Sequence, residues 1–163
     1  TMLLTLLRHA RAEPSRSEFD DAQRALDPAG RREAEEVARR LQTRALAPSL
    51  ILASPALRAS ETALIFARIL SSPPPVHDGR LYLAGADRLL EIMHEHGGTA
   101  SHLMIVGHNP GISTFADRLS ADRPIGMLPT SAACTLRFEI GNWAELEWRT
   151  GTTVELDYPG SAG

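Results

Sequence analysis

Short apolar runs alternate with longer amphipathic stretches along this chain, in the order strand, helix, strand, helix. Residues 3–7, within the run Met2-Leu3-Leu4-Thr5-Leu6-Leu7, read as a buried strand that stops abruptly at Arg8-His9. A polar, irregular loop is expected over 11–26. Asp27-Pro28 then provide the N-cap and first-turn proline of a helix over 29–46, with Ala34, Val37, Ala38 and Leu41 at helical spacing and Pro48 ending it. Leu50-Ile51-Leu52-Ala53 is a second strand, followed by Ser54-Pro55 and a helix over 56–70 that Ser71-Ser72-Pro73-Pro74-Pro75 breaks. Val76-His77 suits a short extended segment, and a helix over 86–96 stops at Gly97-Gly98. Leu103-Met104-Ile105-Val106 is a third buried strand, closed by Gly107-His108-Asn109-Pro110 and followed by a helix over 111–119. Two further strands are expected over 133–140 and 145–149 around a turn at Asn142, with a frayed tail from Pro159. This alternation predicts a three-layer α/β/α sandwich on a mainly parallel central sheet.

Three of these strands end in chemically rich signatures: Arg8-His9, then Ser54-Pro55 with Arg58 a turn later, then Gly107-His108-Asn109-Pro110. Parallel strands carry their C-terminal ends to one side of a sheet, where ligands bind in open α/β folds. The topology therefore gathers two arginines, two histidines and a serine in one cleft. That inventory suits a phosphoryl group. Guanidinium forks match its oxygens, and helix N-termini add N–H donors. One imidazole can attack phosphorus while the other donates to a non-bridging oxygen. Fixed cations already neutralise the dianion, so neither a metal nor another cofactor is required.

Composition narrows the remaining classes. At 163 residues the chain fits one domain able to bury a core, and a formal net charge of −3 argues against a general nucleic-acid binder. Cys134 is the single cysteine and sits in an apolar run, which excludes an intramolecular disulfide and reads as a small buried side chain. No stretch approaches a membrane span, and the first apolar run lacks the basic flank of a signal peptide, so a soluble cytoplasmic protein is expected. His94 and His96, two apart on a helix, point to different faces. His77 and His102 read as surface histidines. Arg31-Arg32 and Arg39-Arg40 alternate with glutamates as a solvated helix face, and Trp143 and Trp148 read as packing residues.

The three signatures, Arg8-His9-Ala10, Ser54-Pro55-x-x-Arg58-Ala59-x-x-Thr62-Ala63 and Val106-Gly107-His108-Asn109-Pro110, resemble those of the histidine phosphatase superfamily, the phosphoglycerate mutase-like fold. They fall in the family's order and span nearly the whole chain. The small size, Leu81-Tyr82-Leu83 and Pro129-Thr130-Ser131-Ala132 resemble its SixA-type phosphohistidine phosphatases. The resemblance implies one histidine phosphatase domain over 1–163. It also implies His9 as the nucleophile, Arg8 and Arg58 as phosphate ligands, and His108 completing the pocket. Ser54 is implied at the phosphate site as the residue orienting its turn, with Asn109 in support.

The chain departs from mutase-like relatives, which carry a glutamate general acid in the segment matching 81–87, where no glutamate stands. Asp87 lies at a helix start, and Asp20 and Asp21 lie in the first loop; these are the alternative acids. An alkyl phosphate needs a positioned proton donor for its alkoxide, whereas a phosphoramidate leaves readily once its nitrogen is protonated. The missing glutamate thus favours a phosphohistidine or an activated phosphoester over a sugar phosphate, and phosphohistidine on a phosphoprotein is the expected substrate, in keeping with signal transduction. The stretch from 71 to 102 is also too short for a capping subdomain, so an open cleft is expected. A broad small-molecule phosphomonoesterase is the alternative enzyme, and a non-catalytic phosphoprotein-binding adaptor the alternative from another class. Neither a nucleic-acid nor a membrane partner is expected.

Overall fold

The computed structural model describes residues 1–161, apart from the side chains of Glu18 and Phe19. The six strands β1 (Met2–Arg8), β2 (Leu50–Ala53), β3 (Val76–His77), β4 (His102–Gly107), β5 (Ala133–Phe138) and β6 (Thr152–Asp157) form one sheet in the order β3-β2-β4-β1-β5-β6. The four strands from β3 to β1 run parallel, while β5 and β6 are antiparallel additions on the other side of β1. Helices α1 (Pro28–Thr43) and α2 (Leu57–Leu70) cover one face, and α3 (Ala86–His96) and α4 (Gly111–Leu119) the other.

Alternation along β1 explains the two layers. Leu4 and Leu6 enter the core under α3 and α4, while Leu7 enters the core under α1 and α2. Buried on both faces, β1 and β4 read as continuous apolar runs. Among the described residues no helix is long and apolar enough to cross a membrane.

Most expected elements are present, and four readings change. Helix α1 ends at Thr43 because Ala45 takes a positive φ of 56° and Leu46 donates its N–H back to Leu41, folding its side chain onto the core. The expected strand at 145–149 is absent. Asn142 accepts from Ala144 N–H instead and starts a 3-10 turn, Trp143–Glu145, that drops the indole of Trp143 fully into the core. The last strand is β6, where exposed Thr152 and half-buried Thr153 and Glu155 give weak alternation at a sheet edge. The tail from Pro159 is tied back through Gly160 N–H to Glu36 and Ser161 N–H to the Tyr158 carbonyl; Ala162 and Gly163 lie outside the described residues.

His102 and Arg40 also differ from expectation. His102 is buried inside the sheet, bonded to Thr5 Oγ1 at 2.7 Å, and Thr5 in turn meets Thr135 at 2.8 Å. Arg40 is not solvated but reaches Asp157 at 3.3 Å, beside Arg44 at 2.8 Å, pinning β6 to α1.

Candidate active site

The register places the polar strand ends together. Arg8 pairs with Gly107 across β1 and β4, and Ala53 pairs with Val106 across β2 and β4. The ladder continues one residue further, with His9 N–H donating to the Gly107 carbonyl and Ser54 N–H to the Val106 carbonyl. Thr62 on α2 joins strand and helix, since its Oγ1 accepts from Ala10 N–H at 2.9 Å and donates to the Arg58 carbonyl at 2.7 Å. Ala10 is fully buried at that junction.

The result is a cleft of about 410 Å³ lined by four arginines (Arg8, Arg11, Arg24, Arg58), both histidines His9 and His108, and Asp21, with Leu83, Asn109 and Thr130 at its walls. His9 Nδ1 donates to its neighbour's carbonyl, Ala10 O, at 2.7 Å. That bond assigns the proton to Nδ1 and leaves Nε2 as a lone-pair nitrogen. Burial, together with the positive charges of Arg58 and Arg8, pushes the His9 pKa down to about 4. The ring is therefore neutral at physiological pH, as a nucleophile must be.

His108 is fastened at its other nitrogen. Its Nε2 meets Ser54 Oγ at 2.7 Å, and Ser54 Oγ also accepts from Ala56 N–H at 3.3 Å. Its Nδ1 is buried without a partner in the protein, and the two rings lie 5.3 Å apart. Burial and the neighbouring His9 push its pKa down to about 3. Ser54, fully buried behind His108, orients that ring and does not line the cleft.

Arg8 donates from Nη1 to the Leu128 carbonyl at 3.1 Å, and Asn109 donates to the same oxygen at 2.9 Å. Ser113 ties this wall together by bonding Asn109 at 2.5 Å and accepting from Leu128 N–H. The Nε atoms of both Arg8 and Arg58 are buried without a protein partner. With His108 Nδ1 they make three unpaired polar atoms on residues lining one cleft. Buried polar groups are normally bonded, and a cleft lined by four arginines suits a polyanion with several oxygen acceptors.

Of the three candidate acids, only Asp21 reaches this cleft, lying on the 3-10 segment Glu18–Gln23. Asp20 is turned into its own loop, bonding Ser15 and the Arg16 and Ser17 N–H groups. Asp87 sits in the first turn of α3, whose N-cap is Gly85, and pairs with Arg118 on the surface at 3.0 Å. Asp21 accepts from Tyr82 Oη and from Arg58 Nη2 at 3.1 Å, and pairs with Arg24 at 3.1 Å. The Tyr82 hydroxyl and the Arg58 guanidinium hold its carboxyl below the usual range, so it is a charged carboxylate.

Sequence reasoning did not single out Tyr82, Arg11 or Arg24. The Leu81-Tyr82-Leu83 segment was the available signal. Its place is set by Gly111, where a Cβ would stand 1.8 Å from the Ala84 carbonyl oxygen, so the 79–85 loop seats directly on α4. Leu83 follows with a positive φ of 53° at the cleft wall, a costly conformation of the kind that gathers at functional sites.

The family model described as Histidine phosphatase superfamily (branch 1) matches residues 4–82, which carry Arg8, His9, Ser54, Arg58 and Tyr82. An uncharacterised protein of Mycobacterium tuberculosis is 31% identical over 148 residues, covering 85% of this chain and 91% of that protein. The crystal structure of the putative phosphohistidine phosphatase SixA from Agrobacterium tumefaciens superposes with a TM-score of 0.80 at 27% identity, over 97% of this chain and 98% of that one. A second putative SixA, from Nakamurella multipartitia, gives a TM-score of 0.82 at 23% identity, over 98% and 97%. With the strand-end motifs drawn into one cationic cleft, these likenesses place the chain in the histidine phosphatase superfamily, in its SixA-type branch: it belongs to that family and is a phosphatase.

Proposed function

We propose that this phosphatase hydrolyses phosphohistidine on a phosphoprotein through a covalent phosphoryl group on His9. The observation that carries the reading is the pairing of a neutral His9, its Nε2 left as the lone-pair nitrogen, with a cleft whose sole lining carboxylate among the described residues is already ionised. In the first step His9 Nε2 forms a bond to phosphorus while the bond from phosphorus to the substrate nitrogen breaks. The departing imidazole already carries its proton from water. In the second step water attacks phosphorus, the bond to Nε2 breaks, and inorganic phosphate leaves. Arg8 and Arg58 bind the phosphoryl oxygens, and His108, held by Ser54, donates from Nδ1 to one of them.

The arginines supply the charge that a metal ion would otherwise bring, so hydrolysis needs no metal or cofactor. An open cleft suits a phosphorylated loop of a protein. Likeness to the A. tumefaciens protein, itself described as a putative phosphohistidine phosphatase, supports the same substrate class.

A panel tests the reading: a phosphohistidine-bearing carrier protein, sugar phosphates and a generic aryl phosphate, each with and without chelator. Preference for the phosphoprotein, unaffected by chelator, is expected, with an acid-labile, base-stable phosphate trapped on His9. Preference for sugar phosphates would make the protein a small-molecule phosphomonoesterase. Binding without turnover would make it an adaptor, and phosphoserine at Ser54 would sink the mechanism.

A further inference from the structure

Arg58 is held from behind. Its Nη1 donates to the Asp21 backbone carbonyl at 2.7 Å, and its Nη2 to the Asp21 carboxylate at 3.1 Å. Asp21 therefore occupies the end of the guanidinium fork. The side-on edge, which includes the buried, unpaired Nε, is left over. Tyr82 completes the arrangement by donating its hydroxyl to the same Asp21 carboxylate, and its ring stands nearly perpendicular to that of His108 at a centroid distance of 5.5 Å.

We propose that Asp21 and Tyr82 are a positioning pair, which fixes the Arg58 guanidinium by its outer end so that its Nε edge faces the phosphoryl group. The inference rests on Arg58 binding that group as proposed above. It gives Asp21 a role other than the proton donor its place in the first loop suggested.

Three features carry it. Arg58 is 3% exposed, so its orientation cannot be averaged by solvent and must be set by protein partners. Both oxygens of Asp21 that touch Arg58, one main-chain and one side-chain, come from a single residue, which locks the fork in plane. The 13–25 excursion that presents Asp21 is closed at its base by the Ala12–Leu26 bridge and the bond from Glu13 N–H to the Ala25 carbonyl, and its tip is fastened to Arg58 and Tyr82. The carboxylate carries no proton to give at neutral pH, being held by Tyr82 and Arg58 in its charged form.

The test is a double-mutant cycle read on aryl phosphates of graded leaving-group pKa. Asp21→Asn should lower kcat/KM about tenfold, the order of a bond to a charged group, by the same factor for every leaving group. In an Arg58→Lys background, where no fork remains to orient, the same change should cost less than about twofold. Tyr82→Phe should give a smaller loss that vanishes when Asp21 is already Asn. A loss that steepens with leaving-group pKa would make Asp21 a proton donor and overturn the proposal, and so would a full loss in the Arg58→Lys background. An Arg58→Lys enzyme of wild-type activity would instead fail the reading of Arg58 as a phosphate ligand, and the inference with it. Should Asp21→Asn not fold, the cycle between Tyr82→Phe and Arg58→Lys decides by the same criterion.

Discussion

His102 in the sheet and His9 in the cleft are both buried histidines whose pKa burial has pushed down to about 4, yet their settings are opposite. His102 ends a chain through Thr5 to Thr135 that lies between apolar layers of the sheet. His9 has one nitrogen tied to a backbone carbonyl and the other left as a lone pair, on a cleft that arginines line. Burial and a depressed pKa therefore do not mark a reaction centre by themselves. What separates the two is an uncommitted nitrogen in a field of fixed cations, and that difference comes from position just past the carboxyl end of β1 as against the amino end of β4, at the opposite edge of the sheet.

Exchanging the two residues' roles by mutation is the severest test of that contrast. His9→Ala should lower kcat by at least about 10⁴-fold, as loss of a nucleophile does, while inorganic phosphate still binds and the melting temperature hardly moves. His102→Ala should do the reverse. It opens a cavity and takes from the Thr5 hydroxyl one of its two partners, leaving Thr135, and should cost about 2–4 kcal/mol in denaturant unfolding with kcat within about twofold. An His9→Ala enzyme that still turns over, or an His102→Ala protein of unchanged stability, would erase the distinction.

Acid should sharpen it next. In the unfolded chain both histidines titrate near their ordinary value, about 6.5, so the unfolded state binds more protons between that pH and about 4. Stability contributed by the neutral His102 is complete above about pH 6.5, falls as pH drops toward about 4, and is level below it. The loss amounts to about 3 kcal/mol at most. Urea midpoints measured from pH 7 to 4 should fall, and His102→Leu should remove the His102 share of that fall while leaving the shares of His9 and His108. Activity should follow His9 instead. Corrected for substrate ionisation, kcat/KM should hold down to about pH 5 and fall as His9 protonates near 4.

Ser54→Ala probes the smallest difference, between a ring that is held and a ring that is free. Without Ser54 Oγ, His108 loses the partner of its Nε2 and turns more freely, so kcat should fall about tenfold with the fold intact. Unchanged kcat in steady-state assays would show that the ring is positioned without Ser54.

Much of this site could be read before the fold was seen. Arg8, His9, Arg58 and His108 stood out because each follows an apolar run, and parallel topology sends the ends of such runs to one edge. His102 was misread as a surface residue because nothing in its neighbours shows that Thr5 and Thr135, from two other strands, meet it in the sheet. Strand β6 escaped because an edge strand can be polar on the face it turns to solvent. Asp21 could not be told from Asp20, one residue away, since the choice depends on how a non-periodic loop folds back on α2.

The sequence by itself determined the order of strands and helices as far as β5, the layered α/β class and the residue types delivered to the sheet's carboxyl edge. These follow from periodicity and chain connectivity, which are local properties. Tertiary structure alone decided which imidazole nitrogen is left uncommitted, which carboxylate clasps Arg58, and that Tyr82 stands behind it. Those pairings join segments tens of residues apart through loops without a repeating pattern, and only the packed chain brings their atoms within bonding distance.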